Sequence, residues 1–109
     1  MGVSFFASRD NSGPEAAFGE LSVDVTGTSA VHLLTVLGVE NPVELAEGGE
    51  MTPTEMLLRI SVAQAEGGAD IAQRRWGQWH SPCYFQVRLD DLAVVAREAE
   101  DMGGMVVWC

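Results

Sequence analysis

The chain has 109 residues, of which 47% are hydrophobic and 20% charged, with a formal net charge of −10. This length and apolar content fit one compact domain, 1–109, folded around one core rather than a disordered tail. The acidity argues against direct contact with nucleic acid, where phosphates require a basic face, and against anionic membrane surfaces.

Taken in order, Gly2 to Ser8 is a short apolar run with two Phe, and it reads as a strand, 2–8. Arg9 to Glu15 contains Asp-Asn-Ser-Gly-Pro, a cluster of turn formers. From Glu20 to Thr26 the chain alternates, with Leu21, Val23 and Val25 on one side and Ser22, Asp24 and Thr26 on the other. That period of two marks a half-buried strand, 20–26, and the two strands form a hairpin with a longish loop. Gly27-Thr28-Ser29 stops the strand and supplies a helix cap. A short helix, 29–37, follows and ends at Gly38. His32 falls inside it as an ordinary helix position.

Val39 to Met51 is broken by Asn41-Pro42 and Gly48-Gly49 and carries Glu44, Glu47 and Glu50, with Glu40 just ahead of the first break. It reads as a solvated acidic loop or a single helical turn. It lacks the Asp-x-Asp-x-Asp-Gly spacing of a calcium loop, so no metal is expected there. Thr52-Pro53-Thr54-Glu55 is the sharpest local signal: Thr52 as cap, Pro53 at the first helical position and Glu55 closing a capping box. The helix 53–66 then runs to Gly67-Gly68.

Ala69 to His80 reads as a connection with a helical turn in 71–76. Ser81-Pro82 repeats the cap-plus-proline pattern and starts a long helix, 82–102, whose Phe85, Leu89, Leu92, Ala96 and Ala99 fall on one face. A strand over 83–89 with a helix from Asp90 is the rival. Gly103-Gly104 stops the helix, and a strand, 105–108, closes the chain against the strand 20–26. The sum is an α+β fold: a sheet of about three strands, antiparallel or mixed, with helices on one face.

Chemical variety is concentrated in one stretch, Arg74 to Tyr84: Arg-Arg-Trp-Gly-Gln-Trp-His-Ser-Pro-Cys-Tyr. It forms no recognised catalytic set. His80 and Cys83 lie close in sequence, and Arg74 and Arg75 would favour a thiolate, yet a nucleophilic site needs an orienting partner from elsewhere. Zinc would need His32, His80, Cys83 and Cys109 together, without a second pair at matching spacing. No phosphate loop, dinucleotide fingerprint or nucleophile elbow is present. No catalytic residue, metal or cofactor is expected. Two cysteines build no disulfide framework, and the start, Met-Gly-Val-Ser-Phe-Phe-Ala, has no signal-peptide pattern, so a reducing, cytoplasmic setting is expected.

The charge is uneven. Nine acids and one Arg occupy Met1 to Leu58, whereas seven acids and five Arg occupy Arg59 to Cys109. All six basic residues are Arg, a bias that fits a GC-rich bacterial or phage genome. The acidic half suits fast association with a basic partner. The leading expectation is therefore a non-enzymatic acidic protein-binding module, of the kind that inhibits a basic nucleic-acid-handling protein (immunity or phage anti-defence type). Glu40, Glu44, Glu47 and Glu50 would meet that partner. Arg74, Arg75, Trp76, Trp79, His80 and Tyr84 would add a second contact or a homo-oligomer interface, because Trp, Tyr and Arg dominate binding hot spots. The alternative is a small-molecule or nucleotide pocket, or a minor enzyme, lined by Trp76, Trp79, His80, Cys83 and Tyr84.

Overall fold

The computed structural model describes residues 2–9 and 17–109, with only the backbone described at Ala17 and Trp79. The expected turn over Arg9 to Glu15 lies outside the described residues apart from Arg9, which ends the first strand. The elements run β1 (Gly2–Arg9), β2 (Ala17–Thr26), α1 (Gly27–Val36), α2 (Pro42–Leu45), β3 (Gly49–Met51), α3 (Pro53–Ala65), α4 (Gly68–Trp76), a 3-10 turn (Gly77–Trp79), α5 (Tyr84–Met102) and β4 (Met105–Trp108). Four strands form one antiparallel sheet in the order β2-β1-β4-β3.

The α+β reading holds, with a fourth strand added. One expectation is corrected: β4 pairs with β1 and β3, not with β2. Val106 and Trp108 alternate inward and are buried, so β4 takes a central place with a neighbour on each side, while β2 keeps the edge. Val3, Phe5 and Ala7 of β1 and Val23 and Val25 of β2 point into the same core.

Leu21 does not share that side; it is exposed. The reason is a bulge. Phe6 pairs with Ser22 but Ser8 pairs with Phe18, so β2 carries extra residues opposite Ala7 and its alternation breaks there. The freed N–H groups of Glu20 and Leu21 donate to the Glu98 carboxylate of α5, at 3.2 and 3.3 Å. A Cβ on Gly19 would collide with that carboxylate and approach Ala7 Cβ to 2.9 Å, so the bulge needs a glycine there.

Two helix starts, those of α1 and α3, follow side-chain oxygens. Thr52 accepts from Glu55 N at 3.1 Å, as the capping pattern predicts. At α1 the cap is Thr26, one residue ahead of the expected cluster, accepting from Ser29 N at 3.1 Å. Ser81 does not cap α5. Its carbonyl accepts Tyr84 N–H at 3.2 Å, and Cys83, at φ 65°, separates that turn from the helix, which begins at Tyr84. The strand alternative over 83–89 is not adopted. The presumed connection 69–80 is mostly helix, α4, entered through the left-handed Gly67 at φ 72°.

The long helix α5 is the organising element. Phe85, Leu89, Leu92, Ala96 and Ala99 are all buried, with Val95 beside them, and the helix packs on β1, β2 and β4 and against α3 and α4. Ala96 and Ala99 allow close approach to the sheet, while the larger residues fill the space between helices.

Candidate functional site

Two regions were singled out by the sequence, and the structure treats them differently. The aromatic segment folds onto itself around Phe85, which is fully buried. His80 stacks on Tyr84 at 3.8 Å between ring centroids, and His32 stacks on Trp76 at 4.1 Å. All four rings lie within 6.4 Å of the Phe85 ring. Arg75 lies over Trp76 and Arg88 over Tyr84, at 5.2 and 5.4 Å, adding cation–π attraction.

Trp76 and Tyr84 are half-buried and pack against the core. Arg74 and Arg75 are exposed in the last turn of α4, where positive charge complements the helix dipole. The backbone of Trp79 closes the 3-10 turn; its side chain lies outside the described atoms. Cys83 is exposed and unbonded, as is Cys109. His80 and Tyr84 each spend one ring face on the other. A shallow fissure of about 180 Å³ between α1 and α4 includes Trp76 in its lining.

His32, an ordinary helix position by sequence, is drawn into this cluster. Burial holds its pKa below the usual 6.5, and nearby His80 adds to the depression. Its Nδ1 is buried without a hydrogen-bond partner among the described residues, which suits a neutral ring better than a charged one. Ser29 Oγ sits 3.4 Å from His80 Nε2, and the Thr26 hydroxyl donates to the same Oγ at 3.0 Å. Ser29 is buried, so this contact ties the base of α1 to the 3-10 turn. The residues are 51 apart in sequence, and no local pattern announces the pair.

The acidic segment is organised by a residue that the sequence reading passed over. Trp108, almost fully buried, donates from Nε1 to Leu45 O at 2.7 Å. Its ring also lies against Gly49, where a Cβ would come within 2.6 Å of Cζ2. One indole therefore fixes both the α2 turn and the β3 strand. The segment expected to be a loop or single turn is a turn followed by a strand. Glu40, Glu44, Glu47 and Glu50 are all exposed along it, and none makes an ion pair among the described residues. Glu50 pairs by backbone with Val107 of β4, and Glu47 borders an apolar cleft with Val43, Ala46 and Val31.

Two further exposed residues, Leu58 and Val62 of α3, were missed. The signal was present. Met56, Ile60 and Ala63 form the buried stripe, and Leu58 lies ~200° round the helix from Met56 at 100° per residue. A helix with apolar residues on two faces has a second surface to cover.

Among the described residues no group of three or more His, Cys, Asp or Glu converges as metal ligands, and no helix is long and apolar enough to cross a membrane. Comparison of the chain with protein-family models, curated proteins and solved structures returns no match.

Proposed function

We propose that the protein is a non-enzymatic protein-binding module that presents an acidic surface to a basic partner. One observation carries the reading. Glu40, Glu44, Glu47 and Glu50 are exposed on one short segment, make no ion pair among the described residues, and are held in place by the buried Trp108. Carboxylates left without internal partners retain their full field for an incoming cation, and a fixed backbone lowers the ordering cost of binding. The partner class that fits is a protein with a basic face, such as one that handles nucleic acid, whose phosphate-binding surface these carboxylates would mask.

The pocket reading draws less support, because His80 and Tyr84 stack on each other, Trp76 stacks on His32, and all three lie against Phe85.

The test is capture from a lysate of the native host with the intact chain and with the E40Q/E44Q/E47Q/E50Q variant. A basic protein retained by the first and lost by the second is expected. Its association rate should fall as salt rises, with dissociation changing little. Capture that is indifferent both to the four substitutions and to ionic strength would refute the proposal.

A further inference from the structure

Outside the acidic segment, α3 carries an unpartnered apolar stripe with charge at both ends. Leu58 is 62% and Val62 46% exposed, one helical turn apart. They border a groove of about 360 Å³ whose other wall is Val36, Leu37 and Gly38 at the end of α1. Val36 also lines the fissure leading to Ile71 of α4, which is 52% exposed, so the apolar surface continues across three helices. Glu55 and Glu66 line the same groove. They stand eleven residues apart, ~16 Å along α3 at 1.5 Å per residue. The one cation lining the groove, Arg59, is engaged: its Nη1 donates to Leu37 O and Gly38 O, both at 3.0 Å, and its Nη2 lies 3.8 Å from Glu55.

We infer that this groove docks an amphipathic helix of the partner, with apolar side chains on Leu58, Val62 and Val36 and a basic residue near each end. The inference rests on the protein-binding reading above and adds where the partner's anchor sits and what it is made of. Charge selects the occupant. If a second copy docked here through α3, antiparallel pairing about Leu58 and Val62 would bring Glu55 of each copy toward Glu66 of the other, and parallel pairing would bring like residues together. Both arrangements set carboxylate against carboxylate, and Arg59 is already held by the Leu37 and Gly38 carbonyls just past α1. A helix with Lys or Arg about eleven residues apart meets both carboxylates while covering the apolar stripe.

The experiment is a display library of 18-residue helical peptides with a fixed Leu stripe and Lys, Glu or Ser at each flanking position, panned on the full chain. Enriched peptides are then measured by fluorescence anisotropy against the intact chain, L58D, E55Q/E66Q and E40Q/E44Q/E47Q/E50Q. Leu58 is exposed, so L58D should leave the fold intact. Expected is enrichment of basic residues at both ends, at least tenfold weaker binding to L58D, and several-fold weaker binding to E55Q/E66Q. Basic peptides that bind L58D unchanged but fail on the four-Glu variant would overturn the groove and leave the acidic-surface reading standing. Absence of any enrichment for basic peptides would overturn the groove, while the acidic-surface reading stands or falls on the lysate capture above. A dimer in sedimentation that L58D dissolves would give the groove to a second copy and overturn the inference.

Discussion

Replacing Gly49 with Ala tests whether Trp108 anchors the acidic segment. The added methyl would lie 2.6 Å from Cζ2, 2.8 Å from Cε2 and 3.2 Å from Nε1 of the indole. Ordinary carbon contacts are about 3.5–4.0 Å, so something must move by about 1 Å. The ring has little freedom: it is 2% exposed, meets Phe5 at 5.5 Å and holds Leu45 O. Either β3 moves off β4 or the indole turns and releases Leu45. Overpacking of this kind costs about 1–3 kcal/mol, and losing the hydrogen bond adds about 1 kcal/mol. Against this, a Gly-to-Ala change reduces unfolded-chain entropy and returns about 0.4–1 kcal/mol. The expected net is a loss of about 1–3.5 kcal/mol, still below a typical 5–15 kcal/mol, so the fold should survive. Urea unfolding gives the free energy. Hydrogen exchange at Met51 and Val106, which pair across β3 and β4, shows where the damage falls. Gly67→Ala is the control: φ there is +72° with nothing within 4 Å, so it should cost about 1 kcal/mol from backbone strain without loosening β3. A G49A protein as stable as the parent, with unchanged exchange at those amides, would show that the indole does not hold the segment.

Three further outcomes follow from the same contacts. Glu98→Ala should cost about 1 kcal/mol by removing the carboxylate that accepts from the N–H groups of Glu20 and Leu21, and Gly19→Ala should act through the same carboxylate. The double variant should therefore be markedly less destabilised than the two single losses added, and a purely additive cycle in urea unfolding would separate them. Thr52→Ala should remove the acceptor for Glu55 N and lower stability by about 1 kcal/mol, with Thr52→Asn or Thr52→Asp restoring most of it. His32 is held neutral by burial, so its folded-state pKa lies below the unfolded value of 6.5. As pH falls through 6.5 the unfolded chain takes up the proton first. The stability gained by keeping this ring neutral is complete above 6.5 and declines below it until the folded value is passed, at no more than about 1.4 kcal/mol per pH unit. His32→Phe should flatten that part of the profile, and an unchanged slope would assign it to other groups.

What was legible in the sequence was what local chemistry decides. The cap at Thr52 works over three residues, and the stripe on α5 repeats within a turn, so both could be read directly. The places where reading failed are decided by distant contacts. Gly49–Met51 has too few side chains to announce a strand; it becomes one because Trp108, 59 residues beyond Gly49, lies over it and pairs through β4. Leu21 looked buried by alternation, but Glu98 of α5 secures a bulge that breaks the alternation. Ser81-Pro82 had the composition of a cap, yet the left-handed Cys83 moved the helix start past it. His32 and Trp76 met because α1 and α4 pack together, which no spacing within either segment encodes.

The same reasoning explains why chemical variety was a poor guide to function. Groups that satisfy one another inside a fold have little left to offer a partner. Trp76, His80 and Tyr84 contribute their faces to His32, to each other and to Phe85, and Arg75 lies over Trp76. The groups with unused capacity are plainer: four glutamates between positions 40 and 50, and Leu58 and Val62 between Glu55 and Glu66. Carboxylates act at a distance and set the rate of encounter, whereas an apolar groove acts only on contact and sets residence. Neutralising Glu40, Glu44, Glu47 and Glu50 should therefore slow association and flatten its salt dependence, while the uncharged L58N should speed dissociation and leave the salt slope alone. If both changes altered the same rate constant, the two surfaces would not have the separate roles that their chemistry assigns.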